Sequence, residues 1–356
     1  MVSQKMMDNH HFYSFYMISG MGDNHLSDIN RRKSNLRNSV IWGAFLCFIA
    51  AVSWGAMFPV AHAAFKHIDP FYFTLIRYGT VTIILVILLL WKEGRQAFKL
   101  EGKGIKLWFF GTMAFTVYNL FIFWGEDLLG EPGVMVASVM ESLMPMISII
   151  IAWIFIKKHP HSFTFTCVII ALVGAMLVIT KGDFKGFFSA TDDIFPTLLI
   201  FIAVIGWVVY TMGGDEFSHW SALRYSTLSC LLGTLTAAIF VIIATLIGYV
   251  SVPTVEVVIT TSPHSLFMII FPGLIALLGW NVGVSILSPI NALLFINFVP
   301  VTTLVISIYQ GHNITTFDII GTVLIIFSLI ANNIFVRWQG KGIKRTYRTR
   351  LRERVS

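Results

Sequence analysis

The sequence predicts an all-α integral membrane protein, with ten transmembrane helices arranged as two inverted five-helix repeats. Three observations carry that prediction. Only 12% of the 356 residues are charged and 56% are hydrophobic, where an ordinary soluble domain carries about 25% charged residues; the mean hydropathy is +0.78. From residue 41 onward, apolar runs of spanning length, roughly 20 residues, alternate with short polar links. Finally, the same unusual residues recur in the same order in both halves. So little polar surface cannot cover a water-soluble fold of this size. Soluble enzymes, nucleic-acid binders and disulfide-stapled secreted domains are thereby excluded.

Taken in order, residues 1–40 are polar and irregular and read as a disordered cytoplasmic tail, in which Met17 and Met21 are alternative starts. Helices over 41–65, 71–91, 105–125, 132–156 and 161–180 make the first repeat, 41–180. Those over 195–213, 222–250, 265–285, 287–309 and 314–336 make the second, 195–337. Residues 338–356 form a basic cytoplasmic tail. Links at 66–70, 157–160 and 310–313 are short enough to require antiparallel hairpins. The weakest break is Ile-Leu-Ser-Pro-Ile at 286–290.

Charge tests this division. With the N-terminus inside, most of the 25 Lys and Arg fall on one side. They lie in the leading tail (Lys5, Arg31, Arg32, Lys33, Arg37), the second link (Lys92, Arg95, Lys99, Lys103, Lys106), the fourth (Lys157, Lys158) and the closing end (Arg337 and the tail from Lys341 to Arg354). Links on the other side hold Lys66, Lys181 and Lys185. This is the positive-inside pattern, with both termini cytoplasmic and hence an even number of spans. It accounts for the net charge of +7 without nucleic acid as a partner, and it sets the basic closing tail against anionic lipid headgroups. Cys47, Cys167 and Cys230 lie far apart within apolar runs and form neither a disulfide framework nor a thiolate metal site. No metal or cofactor is expected.

The repeat rests on three anchors at a nearly constant interval. Arg77-Tyr78 opens the second helix and Arg224-Tyr225 the seventh. Ser53-Trp54, with Phe58 a turn on, matches Gly206-Trp207 with Tyr210. Pro145 is expected to divide the fourth helix and Pro300 the ninth. Five helices per copy is an odd number, so the copies must cross the bilayer in opposite directions. Inverted repeats are typical of secondary transporters, whose site lies near the midplane between the copies.

On these residues the chain resembles the EamA family of the drug/metabolite transporter superfamily. The resemblance rests on Ser53-Trp54-Gly55-Ala56-Met57-Phe58-Pro59, on Pro70-Phe71 with Arg77-Tyr78, on Pro145 and Pro300, and on Ile320-Gly321-Thr322-Val323-Leu324-Ile325. It covers about residues 41–337. It implies a ten-helix basket in the plasma (inner) membrane that exports, or less often takes up, small metabolites such as amino acids. Family members often place an acidic residue just after the fourth and ninth helices; here Lys157-Lys158 and Gln310-Gly311 stand there.

Within the predicted spans, Glu141 is the only deep acidic residue. A carboxylate costs at least a few kcal/mol in hydrocarbon and should face a cavity or a partner. It is the first candidate for binding an amine substrate or carrying a coupling proton; gluing helices is the alternative. The aromatic residues Trp54, Phe58, Tyr118, Trp207, Tyr210 and Trp280, with the amides Asn119 and Asn297, complete the expected substrate-binding set. Pro145 and Pro300 are expected hinges, since each frees a carbonyl one turn earlier. Arg77 and Arg224 are expected either as gates or as structural residues that snorkel to headgroups or pair with Asp69 and Asp215. The sequence thus predicts a secondary transporter working by alternating access, with export the expected direction. Its expected partners are a small-molecule substrate and membrane lipids, with a coupling proton and a homodimer also admitted. It is not expected to be an enzyme. The rivals are an intramembrane enzyme on a lipid-linked substrate, a channel, and a nucleotide-sugar-type transporter of the same superfamily.

Overall fold

The computed structural model describes residues 23–156, 161–183, 191–311, 314–328, 330–332, 334 and 335. The start of the predicted leading tail, Lys157 and Lys158, Lys185 and the basic tail 338–356 lie outside these residues. The chain divides into two units, residues 1–42 and residues 43–356. In the first, the described part is helical from Asp23, where composition predicted an irregular segment. No Gly or Pro interrupts 24–42, and Leu, Arg and Lys favour helix there.

The second unit is helical, with no strand among the described residues. Its elements are α1 (Asp23–Phe65, continuing from the first unit), α2 (Pro70–Glu93), α3 (Gly104–Leu129), α4 (Glu131–Glu141), α5 (Met144–Ile156), α6 (Ser162–Thr180), α7 (Thr191–Gly213), α8 (Ala222–Leu246), α9 (Ser262–Leu287), α10 (Pro289–Tyr309) and α11 (Thr316–Asn332). Among the described residues, eight helices are long and apolar enough to cross a bilayer. The pair α4–α5, bent by 45°, makes a ninth candidate, and α11 is a shorter apolar helix. Each of the ten predicted segments therefore falls on a helix or on this bent pair, although only eight meet the length criterion outright.

Local chemistry sets the ends. Asp69 caps α2 by accepting from Phe71 N at 2.8 Å, and Pro70 takes the first helical position, where no N–H is needed. Gly130, at φ +67°, turns the chain between α3 and α4 on its own, a conformation that costs glycine little. Ser288 ends α9 at φ +75°, unusual for a residue with a side chain, and Pro289 then starts α10.

Small residues let helices close on one another, as membrane interfaces require. A Cβ on Gly233 of α8 would strike the Gly111 carbonyl of α3. Between α6 and α11 the approach is reciprocal: a Cβ on Gly174 would meet Gly321 O, and one on Gly321 would meet Gly174 O.

Irregularities recur in both halves. α3 contains a π-helical turn at Met113–Tyr118, and α9 contains one at Ile269–Ile275. Between α4 and α5 the helix breaks at Ser142–Leu143, and α10 tightens into a 3₁₀ turn at Leu294–Asn297. Both helices expected to be divided are interrupted, but a few residues ahead of Pro145 and Pro300 rather than at them. Each follows its break and lies in the first turn of the helix beyond it, where a missing N–H leaves no bond unmade.

Candidate functional site

Buried aromatic side chains from both halves meet inside the second unit. Trp54 of α1 and Trp207 of α7 touch edge to face with ring centroids 5.0 Å apart, and Trp54 meets Trp280 of α9 at 5.1 Å. Tyr118 of α3 lies 5.0 Å from Trp207, and Tyr210 lies 5.3 Å from it. The indole N–H of Trp54 donates to Pro272 O (3.2 Å) and that of Trp280 to Thr211 Oγ1 (3.3 Å). The Trp207 N–H is buried with no partner among the described residues. The π turn of α9 thus serves the cluster directly, since Pro272 O belongs to it.

Glu141 reaches the cluster from the end of α4. It is fully buried, and its Oε1 accepts a hydrogen bond from the Tyr118 hydroxyl. Its Oε2 has no partner among the described residues, and neither has the buried Ser142 Oγ beside it. An unsatisfied buried polar atom costs about 1–3 kcal/mol, which a hydrogen-bond donor placed beside these atoms would recover. Backbone broken at this depth is tolerated where protein or a wet cavity takes up its polar groups.

One residue along α3, Asn119 turns to the other side of the same helical turn and meets Arg77 of α2. Arg77 is fully buried; its Nη1 donates to Asn119 Oδ1 and Met57 Sδ, each at 3.5 Å, and its guanidinium lies 4.6 Å from the Tyr78 ring centroid. Its Nε and Nη2 are unpartnered among the described residues. The expected snorkelling or pairing with Asp69 is therefore not what is observed. Close aromatic neighbours hold the cation within the bundle through their π faces. Arg224 differs: it pairs with Glu101 (2.7 Å) in the 94–103 link rather than with Asp215. The same Glu101 accepts from Trp220 Nε1 at 3.0 Å and faces His219 at 3.2 Å. Hydrogen bonds from Trp220 and Arg224 hold its carboxyl down at about 2. Lys106, in the first turn of α3, pairs with Glu216 of the 214–221 link.

A cleft of about 310 Å³ opens beside the 214–221 link and runs to Tyr225 and Asn281. At its floor Asn281 donates to Tyr210 Oη (2.9 Å) and to Ser226 Oγ (2.8 Å), so it ties the cleft to the aromatic cluster.

Of the predicted site residues, Trp54, Tyr118, Glu141, Trp207, Tyr210 and Trp280 come together, whereas Asn119, the next residue after Tyr118, meets Arg77 instead. Phe58 is fully buried but stacks on none of these rings. Asn297 stands at the α10 break with Oδ1 unpartnered among the described residues, in the place that Ser142 holds at the α4–α5 break. Sequence reasoning missed Glu126, a second fully buried carboxyl group with both oxygens unpartnered among the described residues. Its predicted span ended at residue 125, and α3 runs on to Leu129. Asn281 also stands outside the expected substrate-binding set. Its two side-chain partners come from distant helices and leave no mark in local sequence.

Residues 41–180 and 194–334 each match the EamA-like transporter family. The chain is 55% identical over 295 residues to the Bacillus subtilis strain 168 protein named "Uncharacterized transporter YrdR", covering 83% of this chain and 92% of that one. It is 25% identical over 284 residues to "Uncharacterized transporter YyaM" of the same organism, covering 80% and 90%. A solved crystal structure is similar in fold, with a TM-score of 0.61 at 16% sequence identity, over 83% of this chain and 98% of its own.

Proposed function

The chain belongs to the EamA-like transporter family, and from that premise we propose that it is a secondary transporter that exports a small amphipathic metabolite, an amino acid or a related compound, by alternating access. The observation that carries this reading is Glu141 at the break between α4 and α5, hydrogen-bonded to Tyr118, whose ring packs on Trp207 of the other half. A discontinuous helix with a polar group at its break is the usual form of a midplane transport site. The free Oε2 of Glu141 accepts the ammonium group of the substrate or holds a coupling proton. The rings of Trp54, Trp207 and Trp280 take its apolar part, and their faces suit a cation.

Two inverted five-helix halves, ten spans in all, supply the motion. The recurrence of the π turns and the breaks, and the reciprocal Gly174–Gly321 and Trp54–Trp207 contacts, support a two-fold relation between the halves. Both tails lie in the cytoplasm of a plasma (inner) membrane, so the cleft at 214–221 is the inner mouth. Arg224 and Glu101 close that face, and Arg77 orients the substrate or its acidic group.

Reconstitution in liposomes tests the reading, with a panel of labelled amino acids and with and without a pH gradient. Wild-type protein is expected to move at least one of them. Glu141→Gln, at equal protein density, is expected to abolish concentrative transport. Persisting substrate exchange in that variant assigns Glu141 the proton; loss of exchange as well assigns it the substrate ammonium. Transport and pH dependence equal to wild type would remove Glu141 from the mechanism.

A further inference from the structure

Away from the aromatic cluster, a second pocket of about 170 Å³ opens where α6 and α10 end and α4 and α11 begin. Its polar lining is Glu131, Lys181, Ser307 and Asp318, and Met135 and Ile314 supply apolar wall. Two of these polar residues are buried: Ser307 is 1% exposed and Asp318 2%. Asp318 uses only half of its carboxylate within the fold. Its Oδ2 accepts from Thr315 N (2.8 Å) and Thr315 Oγ1 (2.7 Å), which caps the start of α11. Its Oδ1 has no partner among the described residues, and neither has Ser307 Oγ. Two buried oxygens lining one cavity, neither satisfied among the described residues, cost free energy that a hydrogen-bond donor in the cavity would recover.

We propose that this pocket binds a small protonated primary amine, whose ammonium group donates to Asp318 Oδ1, Ser307 Oγ and the Glu131 carboxylate. The count favours an amine over a bare metal ion. An ammonium carries three N–H donors and finds three oxygen-bearing side chains, whereas a hard divalent cation such as calcium asks for about six to eight oxygens. Met135 and Ile314 face the alkyl part. Lys181, exposed at the rim, is placed to meet an acidic group on the same ligand. The pocket shares no residue with the Glu141 cluster and does not depend on the reading of that cluster.

Thermal unfolding of the purified full-length protein in detergent, with ethylammonium chloride, alanine or sodium chloride at equal concentration, tests this. Ethylammonium is expected to raise Tm above the sodium control. Alanine is expected to raise it further in the wild type but not in Lys181→Ala. In the Glu141→Gln background, where the central cluster no longer offers a carboxylate, Ser307→Ala and Asp318→Asn are each expected to abolish the ethylammonium shift. Both should fold: the Ser307 hydroxyl has no partner among the described residues to lose, and the amide oxygen introduced by Asp318→Asn can still accept from Thr315 N. Glu141→Gln is expected to keep the shift. An equal shift with sodium, or a shift that survives Ser307→Ala and Asp318→Asn in that background, would overturn the proposal. So would a shift lost only in Glu141→Gln, which would locate the amine at the central cluster and leave the transport reading standing.

Discussion

Glu126 and Asn281 are both polar side chains buried within apolar helices, and they differ in whether the fold uses them. Asn281 bonds Tyr210 and Ser226 on two other helices. At about 0.6 kcal/mol for an interhelical hydrogen bond, Asn281→Leu is expected to cost about 1 kcal/mol. That would read as a modest fall in the Tm of purified protein. Glu126 bonds nothing among the described residues through its carboxyl group, so Glu126→Met, of similar length, removes only an unsatisfied group. Its Tm is expected to equal or exceed that of the wild type, because deleting an unpaired polar group returns its desolvation cost; a Tm lower by several degrees would show that the carboxyl has a stabilising role. Sequence could reveal neither difference. Composition shows that a polar residue sits in an apolar run, but its partners come from helices distant along the chain. Glu141 was legible for a narrower reason: no other acidic side chain lay so far inside a predicted span. Arg77 was misread because snorkelling is the usual fate of a basic residue near a helix end, and only the contacts of α2 with α1 and α3 show it turned inward.

Among the elements, the helices were legible wherever hydropathy alone defines them, and their ends were legible where Pro, Gly or Asp punctuates the chain, as at Asp69-Pro70 and Gly130. The irregular turns were less so. Nothing in Met113–Tyr118 announces a π turn, and the breaks before Pro145 and Pro300 are displaced from the prolines that signalled them. Helix spacing, by contrast, can be tested by substitution. Gly233→Ala would drive a methyl group onto the Gly111 carbonyl and to 2.9 Å from Phe115 Cβ. Overpacking of that kind costs about 1–3 kcal/mol, so a lowered Tm with unchanged helix content is expected by circular dichroism. The links can be tested by pH. Glu101 joins the 94–103 link to the start of α8, and its carboxyl is depressed from 4.5 to about 2. A carboxyl lowered in the folded state stabilises it above its unfolded value and stops doing so as pH falls through its folded value. The Tm difference between wild type and Glu101→Gln is therefore expected to be constant above about pH 4.5 and to shrink from there toward pH 2. A difference that instead grows on acidification would show that another group holds the links together.

At the scale of the molecule, orientation depends on which ends of the helices share a face, and the structure ties two of those ends together without reference to a membrane. The 94–103 link meets the 214–221 link through Glu101 with Trp220 and with Arg224 at the start of α8, and Lys106 of α3 reinforces the junction through Glu216. Any topology must therefore put both links on one side. On the orientation proposed above, that side is the cytoplasm, as the positive-inside rule expects from the cluster of Lys92, Arg95, Lys99, Lys103 and Lys106. α9 begins at Ser262 and ends at Leu287, which lines the same cleft as the 214–221 link; Ser262 therefore lies on the opposite side. Cysteines introduced at Gln96 and Ser262 separate the alternatives. The native Cys47, Cys167 and Cys230 are all buried and give little background, while both Gln96 and Ser262 are exposed. In intact cells an impermeant thiol reagent is expected to label position 262 and not position 96, and permeabilised cells are expected to expose both. Labelling at 96 alone in intact cells would invert the molecule. The cleft at Asn281 would then open outward, and the expected direction of transport would lose its physical basis. Labelling at both sites in intact cells would break the antiparallel order itself, because helices of spanning length leave no way for α9 to begin and end on the face that holds the 94–103 link.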